Sequence, residues 1–146
     1  MEYVSILVAF ISVVVSIATY MKTVSHDKKQ ATIDAFNLLQ NEVLDKFVNI
    51  DNENSKMIVD NLSSKEFKEA YDDCRALIAR LEHFAVGVNK KIYDLNVVDE
   101  LAGIHLIYLY KKIKPIIDYA NRNESKNLHY HNYIELVDKL KRKHKW

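Results

Sequence analysis

Residues Tyr3–Met21 read YVSILVAFISVVVSIATYM and contain no charge. As an α-helix, a segment of this length extends about 28 Å, close to the thickness of the hydrocarbon core of a bilayer. A cleaved signal peptide fits less well, because Glu2 stands where a positive region is expected and the segment stays apolar through Tyr20. The sequence therefore predicts a single transmembrane helix within residues 1–24.

Small and hydroxyl-bearing side chains recur in this segment at intervals of four, three, four and three residues. The spacing places them on one helix face, which favours close packing and hydrogen bonding between helices. In a homo-oligomeric bundle, the same stripe would line a narrow pore. The alternative is a lone anchor whose hydroxyls bond to carbonyls of their own helix. The stripe consists of Ser5, Ala9, Ser12, Ser16 and Thr19.

The charges around the segment predict its orientation. Lys22, Lys28 and Lys29 follow it, and neither Lys nor Arg precedes it. By the positive-inside rule, the N-terminus lies outside the bacterial inner membrane and residues 25–146 lie in the cytoplasm. The single cysteine, Cys74, agrees with a reducing compartment.

Residues 25–146 are expected to form one all-α domain, because two glycines and one proline in 146 residues leave few turns for a β-sheet. The first helix should run from Asp27 to about Asp51 and continue from the membrane segment. A capping box of Ser63 and Glu66 predicts the start of another helix.

A further helix should begin near Asn96, with Asn96 as its cap, and bend at Pro115. The short link before Asn96 predicts an antiparallel helical hairpin. Gly87 and Gly103 lie eight residues to either side of Leu95. We therefore expect the two glycines to face each other and let the backbones of the hairpin touch.

The stretch Phe84–Ile117, FAVGVNKKIYDLNVVDELAGIHLIYLYKKIKPII, resembles the signature of the bacterial domain-of-unknown-function family numbered 4760. The run Ala85–Asn89, Tyr93-Asp94, Gly103 and Lys114-Pro115 are among the residues that carry the match, with Ala31–Asp34 upstream. The resemblance implies an N-terminal membrane helix and a helical body, and no activity. The layout is also similar to that of membrane effectors in bacterial anti-phage systems, which is an analogy of organisation only.

The sequence contains neither a nucleotide-binding glycine loop nor the spacing of a zinc site, so we expect no metal and no cofactor. His83 and His105 flank the hairpin turn without the convergence that a metal site needs. Arg122 and His129 are spaced as in ribonucleases of the nucleotide-binding helical class, where His acts as the general base. A solvated loop with a helix cap explains this spacing more simply, and we expect no enzyme.

Charge is divided unevenly along the chain. Residues 27–100 hold ten Lys and Arg against fifteen Asp and Glu, and residues 101–146 hold ten against four. The basic part is a candidate patch for an anionic nucleotide, a nucleic acid or lipid headgroups, although a solvated tail is the simpler interpretation. Its members are Lys111, Lys112, Lys114, Arg122, Lys126, Lys139, Lys141, Arg142 and Lys143.

Together these features predict a membrane-anchored homo-oligomeric effector, gated by an anionic ligand or by a partner protein encoded nearby. Release of the anchor bundle would open a channel or leak in anti-phage defence. The alternative is a tethered scaffold or adaptor without conductance, and the third hypothesis is the ribonuclease.

Overall fold

The computed structural model describes residues 2–123 and 129–146, with side chains from residue 9 onward in those ranges. Their regular secondary structure is helical, which confirms the predicted all-α class. A short 3₁₀ helix, Leu44–Phe47, follows the first helix. The α-helices are α1 (Glu2–Glu42), α2 (Asn52–Asp60), α3 (Lys65–Asn89), α4 (Leu95–Asn123) and α5 (His131–Lys143).

Helix α1 is continuous over 41 residues and extends about 60 Å. The large apolar side chains from Phe10 to Val24 are exposed, at 47–71 % of their surface. By length and composition α1 can cross a membrane, and it is the one helix among the described residues that can. The predicted anchor is therefore present as a helix, and the boundary proposed at residue 24 falls inside it.

The C-terminal part of α1 enters the core, where Phe36, Leu39 and Val43 are buried. The prediction that this helix reaches Asp51 was wrong, since it ends at Glu42. The chain turns there into the 3₁₀ helix, which buries Leu44 and Phe47 against the core.

Helix α3 runs antiparallel to α1. As the residue number rises along α3 and the link after it, the residue number of the contact partner in α1 falls. The C-terminal end of α3 therefore points toward the apolar part of α1. The contacts that give this order are Arg80 with Glu42, Phe84 with Phe36 (ring centroids 6.2 Å apart), and the Asp94 N–H with the Thr32 hydroxyl (2.8 Å).

The predicted capping box at the start of α3 was wrong. The Ser64 N–H donates to the Asn61 carbonyl at 2.9 Å, and this turn puts Ser64, not Ser63, at the N-cap. Within the described residues, the Ser64 side chain makes no capping hydrogen bond.

The α3–α4 link also differs from the prediction. Helix α4 starts at Leu95, so its cap is Asp94 and not Asn96. The Asp94 carboxylate accepts hydrogen bonds from the N–H groups of Asn96 (2.8 Å) and Val97 (3.4 Å). A carboxylate at this position satisfies free N–H groups and suits the positive end of the helix dipole.

The backbone of α4 leaves the helical region at Ala102 (φ −158°, ψ 20°), which the sequence did not predict, whereas at Pro115, where a bend was predicted, α4 continues as a helix. Pro115 has no N–H to donate to the carbonyl of Lys111. The Asn52 side chain of α2 donates to that carbonyl instead, at 2.8 Å. This tertiary hydrogen bond removes one cost of a proline inside a helix.

Helix α5 packs mainly on α3, while α4 packs mainly on α2, so the hairpin helices lie within a larger bundle. The Glu82 carboxylate of α3 accepts hydrogen bonds from the N–H groups of Asn132 (3.1 Å) and Tyr133 (2.7 Å). The buried Tyr133 hydroxyl donates to the Leu106 carbonyl at 3.0 Å. Helix α5 is thus capped by α3 and bonded to α4.

Thr32 connects α1 to the hairpin link. It is fully buried, and its hydroxyl donates to the Lys28 carbonyl (2.7 Å) and accepts from the Asp94 N–H (2.8 Å). We expect Thr32→Val to lower the free energy of unfolding by about 1–3 kcal/mol, because it leaves the N–H of the half-buried Asp94 without its hydrogen bond while the side-chain volume at position 32 hardly changes. Urea unfolding of the detergent-solubilised chain, followed by circular dichroism, measures this change.

Thr23→Val is the matched control, because Thr23 is exposed and its hydroxyl donates to the Thr19 carbonyl, four residues earlier in the same helix, at 3.0 Å. Its unfolding midpoint should stay at that of the unmodified chain. Equal midpoints for both variants would contradict the role assigned to Thr32.

Candidate functional site

The hydroxyl stripe of α1 lies on the surface of the single chain. Ala9, Ser12, Ser16 and Thr19 are exposed, and the Ser5 side chain lies outside the described residues. The hydroxyls of Ser16 and Thr19 donate to the carbonyl four residues earlier, at 2.8 and 2.9 Å. This is the arrangement of a lone anchor, yet each oxygen keeps lone pairs that can accept a hydrogen bond from a second helix. Self-association and the pore stay predictions.

The two glycines have neighbours other than those expected. A side chain at Gly87 would overlap the Tyr93 ring, and one at Gly103 would overlap the Asp99 carboxylate and approach His144. Gly87 and Gly103 therefore do not face each other as predicted: Gly87 faces the Tyr93 ring, and Gly103 faces the side chains of Asp99 and His144. Gly87 makes room for Tyr93, which stacks on Phe84 with ring centroids 5.5 Å apart.

A groove of about 570 Å³ opens where α4 breaks. Three of its apolar side chains, Leu101, Ile104 and Tyr108, are 45–50 % exposed. Residues of the 3₁₀ helix that follows α1 form part of the same lining, so the groove connects the break in α4 with the end of α1. The other lining residues include Leu44, Phe47, Val48, Glu100, His105 and Lys112.

The C-terminal tail closes one side of this groove through Asp99. The carboxylate of Asp99 lies 2.7 Å from His144 Nε2 and 3.0 Å from Lys143 Nζ, and Lys143 also donates to the Asn96 side chain at 2.7 Å. Burial by itself raises the pKa of Asp99, but the hydrogen bonds from His144 and Lys143 outweigh it and hold that pKa below its ordinary value. Asp99 and His144 are 45 positions apart, so their spacing gave no sequence signal.

Trp146 also packs back onto α4. Its ring meets Tyr108 edge-on, with centroids 5.2 Å apart, and the Lys111 ammonium lies 4.3 Å from the Trp146 centroid. The basic tail is therefore a docked segment of the fold.

The predicted cationic patch is divided among several local contacts. Lys126 lies outside the described residues. Lys112 lines the groove, and the remaining members contact acidic groups, carbonyls or rings of the same chain. These contacts are Lys111 with the Tyr108 and Trp146 rings, Lys114 with Asp118, Lys139 with Glu135, Lys141 with Asp138 and the Tyr110 ring, Lys143 with Asp99, and Arg122 and Arg142 with the carbonyls of Asp118 and Asp138.

Arg122 and His129 lie in different local surroundings within the chain, and the composite nuclease site stays a prediction. The Arg122 side chain is exposed and donates to the Asp118 carbonyl at 3.2 Å. The Nε2 atom of His129 is buried and has no hydrogen-bond partner among the described residues. A general base has to lie within hydrogen-bond reach of its substrate, and a buried nitrogen does not favour that role.

The other candidate groups, two histidines and a cysteine, lie apart from one another in the described part of the chain. His83 and His105 line different grooves, and no three His, Cys, Asp or Glu converge on a metal position within the described ranges. Burial raises the pKa of the Cys74 thiol to about 11, so it is protonated and unreactive near neutral pH.

These observations define a class: an all-α protein whose first helix is long and apolar enough to cross a membrane and continues into the core of a helical body. The sequence profile of a domain of unknown function, DUF4760, matches residues 6–140, which is most of the chain. The protein therefore belongs to the DUF4760 family, as the resemblance indicated. Neither a curated protein nor a solved structure matches the chain.

Proposed function

We propose that this protein is a membrane-anchored effector in which the helical body controls the association of the N-terminal helices. The observation that carries the proposal is the continuity of α1 from Glu2 to Glu42. The same rigid helix holds the apolar segment at one end and packs Phe36, Leu39 and Val43 into the core at the other. Because no flexible linker separates the two parts of α1, a tilt or rotation of the body also tilts or rotates the apolar segment.

The apolar segment supports the membrane part of this proposal. Its large side chains are exposed along its whole described length, so within the described residues the body does not bury them. Lipid or a second copy would remove this surface from water. By the positive-inside rule, the lysines after the segment favour a body in the cytoplasm, on the inner face of a bacterial inner membrane.

The groove at the break in α4 supports regulation. Its lining joins α4 to Leu44 and Phe47, the turn directly after α1. An anionic ligand at Lys112, or a partner protein on Leu101 and Ile104, would act on both elements at once. Opening of the bundle would then depolarise the membrane and arrest growth, as expected for an anti-phage effector.

The second candidate is a tethered scaffold without conductance. It is favoured by the hydroxyls of Ser16 and Thr19, which are already bonded within their own helix. In that case the groove would hold a partner protein, and the function would not depend on whether the N-terminal helices associate.

Mechanical coupling can be tested without changing the length of the chain. Residues 23–26 (Thr23, Val24, Ser25 and His26) are exposed and lie between the apolar segment and the core. Replacing all four by glycine should abolish depolarisation and growth arrest on overexpression, because each glycine costs the helix about 1 kcal/mol relative to alanine. A membrane-potential dye in growing cells measures the loss.

Replacing the same four residues by alanine is the matched control, which preserves the helix and should retain at least half of the depolarisation. Both variants should sediment with the membrane fraction. If the glycine and alanine variants depolarise equally, rigid coupling is wrong and the scaffold is favoured.

A further inference from the structure

We propose that the end of the body from which α1 emerges is a second membrane contact, which binds anionic lipid headgroups. This surface, called here the basic end, consists of Lys28 and Lys29 on α1 and Lys90, Lys91 and Ile92 in the α3–α4 link. The inference rests on the proposed membrane span and adds a headgroup interface of the body to it.

The antiparallel packing fixes the position of the basic end. Phe84 packs beside Phe36, and α3 continues five residues further, about 7.5 Å, toward the apolar segment. The link that follows returns at Asp94, whose N–H is bonded to Thr32. Lys90 and Lys91 therefore lie at about the level of Lys28 and Lys29, on the same end of the molecule.

The distance to the membrane surface is short. Along α1, Met21 at the end of the apolar segment and Lys29 are separated by about 12 Å. Headgroups extend about 5–8 Å beyond the hydrocarbon, and the remaining gap is within the Debye length of about 8 Å at physiological salt. Lysines on the basic end are thus close enough to feel an anionic leaflet.

The side chains of the basic end suit such a surface. Lys29, Lys90 and Lys91 are exposed, and Ile92 exposes 61 % of its surface. Two of the nearest acidic groups are engaged within the fold, because Asp94 caps α4 and Asp99 is held by Lys143 and His144. Glu100 is exposed in the groove that Lys29 also lines, so it offsets part of the positive charge of the four lysines. Asp27 is the exposed acid beside the lysines on α1. The lysines and the exposed isoleucine together favour a partner that is anionic and partly apolar, as a lipid interface is.

The backbone of the α3–α4 link also supports contact between the basic end and lipid headgroups. Lys91 has a φ of 62°, and its neighbour Ile92 donates its N–H to the Gly87 carbonyl at 2.9 Å. Such helix ends usually place glycine at the left-handed position and pack the next apolar residue back onto the helix. Here the left-handed residue is a lysine and the apolar residue is exposed. Neither choice favours folding of the free chain, and both favour contact with headgroups.

The test uses the full chain in lipid nanodiscs and measures the rate at which formaldehyde and a hydride donor methylate each lysine. In discs of phosphatidylcholine and phosphatidylglycerol in equal parts, we expect Lys28, Lys29, Lys90 and Lys91 to react about fivefold more slowly than in discs of phosphatidylcholine alone. Exposed lysines elsewhere on the body, Lys56 and Lys65, should react equally in both. Molar salt should remove the protection.

A variant separates lipid contact from folding. Lys91→Gly relieves the left-handed backbone, so it should fold at least as well as the unmodified chain, while protection of Lys90 in anionic discs falls by about fivefold. Lys91→Arg keeps the charge and should keep the protection.

Equal methylation of Lys90 and Lys91 in both kinds of disc would overturn the inference. Protection in neutral discs on addition of single-stranded RNA, without protection by anionic lipid, would also overturn it and assign the surface to nucleic acid. Failure of the chain to purify with the discs would instead refute the membrane span itself, so the two failures are distinguishable.

Discussion

Replacing Ser5, Ser12, Ser16 and Thr19 together by leucine should abolish membrane depolarisation while the chain remains in the membrane. Leucine removes the hydroxyls that would wet a pore and adds bulk on the face where helices would approach closely. The substitution also raises the hydropathy of the segment, so insertion is not weakened. Dye fluorescence in cells that overexpress the variant measures the loss, and membrane fractionation measures insertion.

The opposite face of the same helix offers a matched control. Val14 and Ile17 are 49 % and 54 % exposed on the larger apolar face, and their replacement by leucine should leave depolarisation unchanged. A single cysteine at Ser16 should cross-link between copies, because the native Cys74 is buried and does not compete. Full depolarisation by the four-leucine variant would contradict the pore, and the absence of cross-linked dimers would contradict self-association.

Glu82→Ala should lower the free energy of unfolding by about 2–3 kcal/mol, the largest stability effect expected of an individual polar side chain in this fold. The Glu82 carboxylate accepts from the N–H groups of Asn132 and Tyr133 and from the Asn132 side chain (2.7 Å). Its loss leaves the start of α5 without a cap, on the side where α5 packs against α3. Urea unfolding followed by circular dichroism measures the change.

Glu135→Ala on α5 is the control, because Glu135 is exposed and pairs with Lys139 one turn away on the same helix, and its one contact with α3 among the described residues is a long hydrogen bond of 3.4 Å from the Asn89 side chain. Its unfolding midpoint should not move. If Glu82→Ala unfolds at the midpoint of Glu135→Ala, the cap supplied by α3 does not stabilise α5.

Much of the architecture was predictable because it depends on local properties. The absence of charge from Tyr3 to Met21 indicated a membrane-spanning helix, and α1 has the length and the exposure that such a helix needs. Along α3, Tyr71, Cys74, Ile78 and Leu81 recur at intervals of three and four residues, and all four are buried. Periodicity of this kind is a property of one helix and needs no knowledge of its partners.

The predictions that failed concern helix ends, bends and contacts between helices. Asn96 and Ser63 are good caps by residue type, but the turn before each helix decides which residue reaches the capping position. Pro115 is a helix breaker in isolation, and Asn52, 63 positions earlier, supplies the hydrogen bond that lets α4 continue there. The candidate site was the least predictable part, because the link between Asp99 and the C-terminal tail joins residues that are far apart in the sequence.

The sequence alone determined the helical class, the apolar segment and the uneven division of charge, because these follow from composition and from spacings within one helix. Only the tertiary structure decided that α1 is a rigid connection into the core, that the tail docks on α4, and that Lys90 and Lys91 lie on the same end as Lys28 and Lys29. Such relations depend on which helices pack together and in which direction. Packing of that kind is set by the burial of side chains from several helices at once.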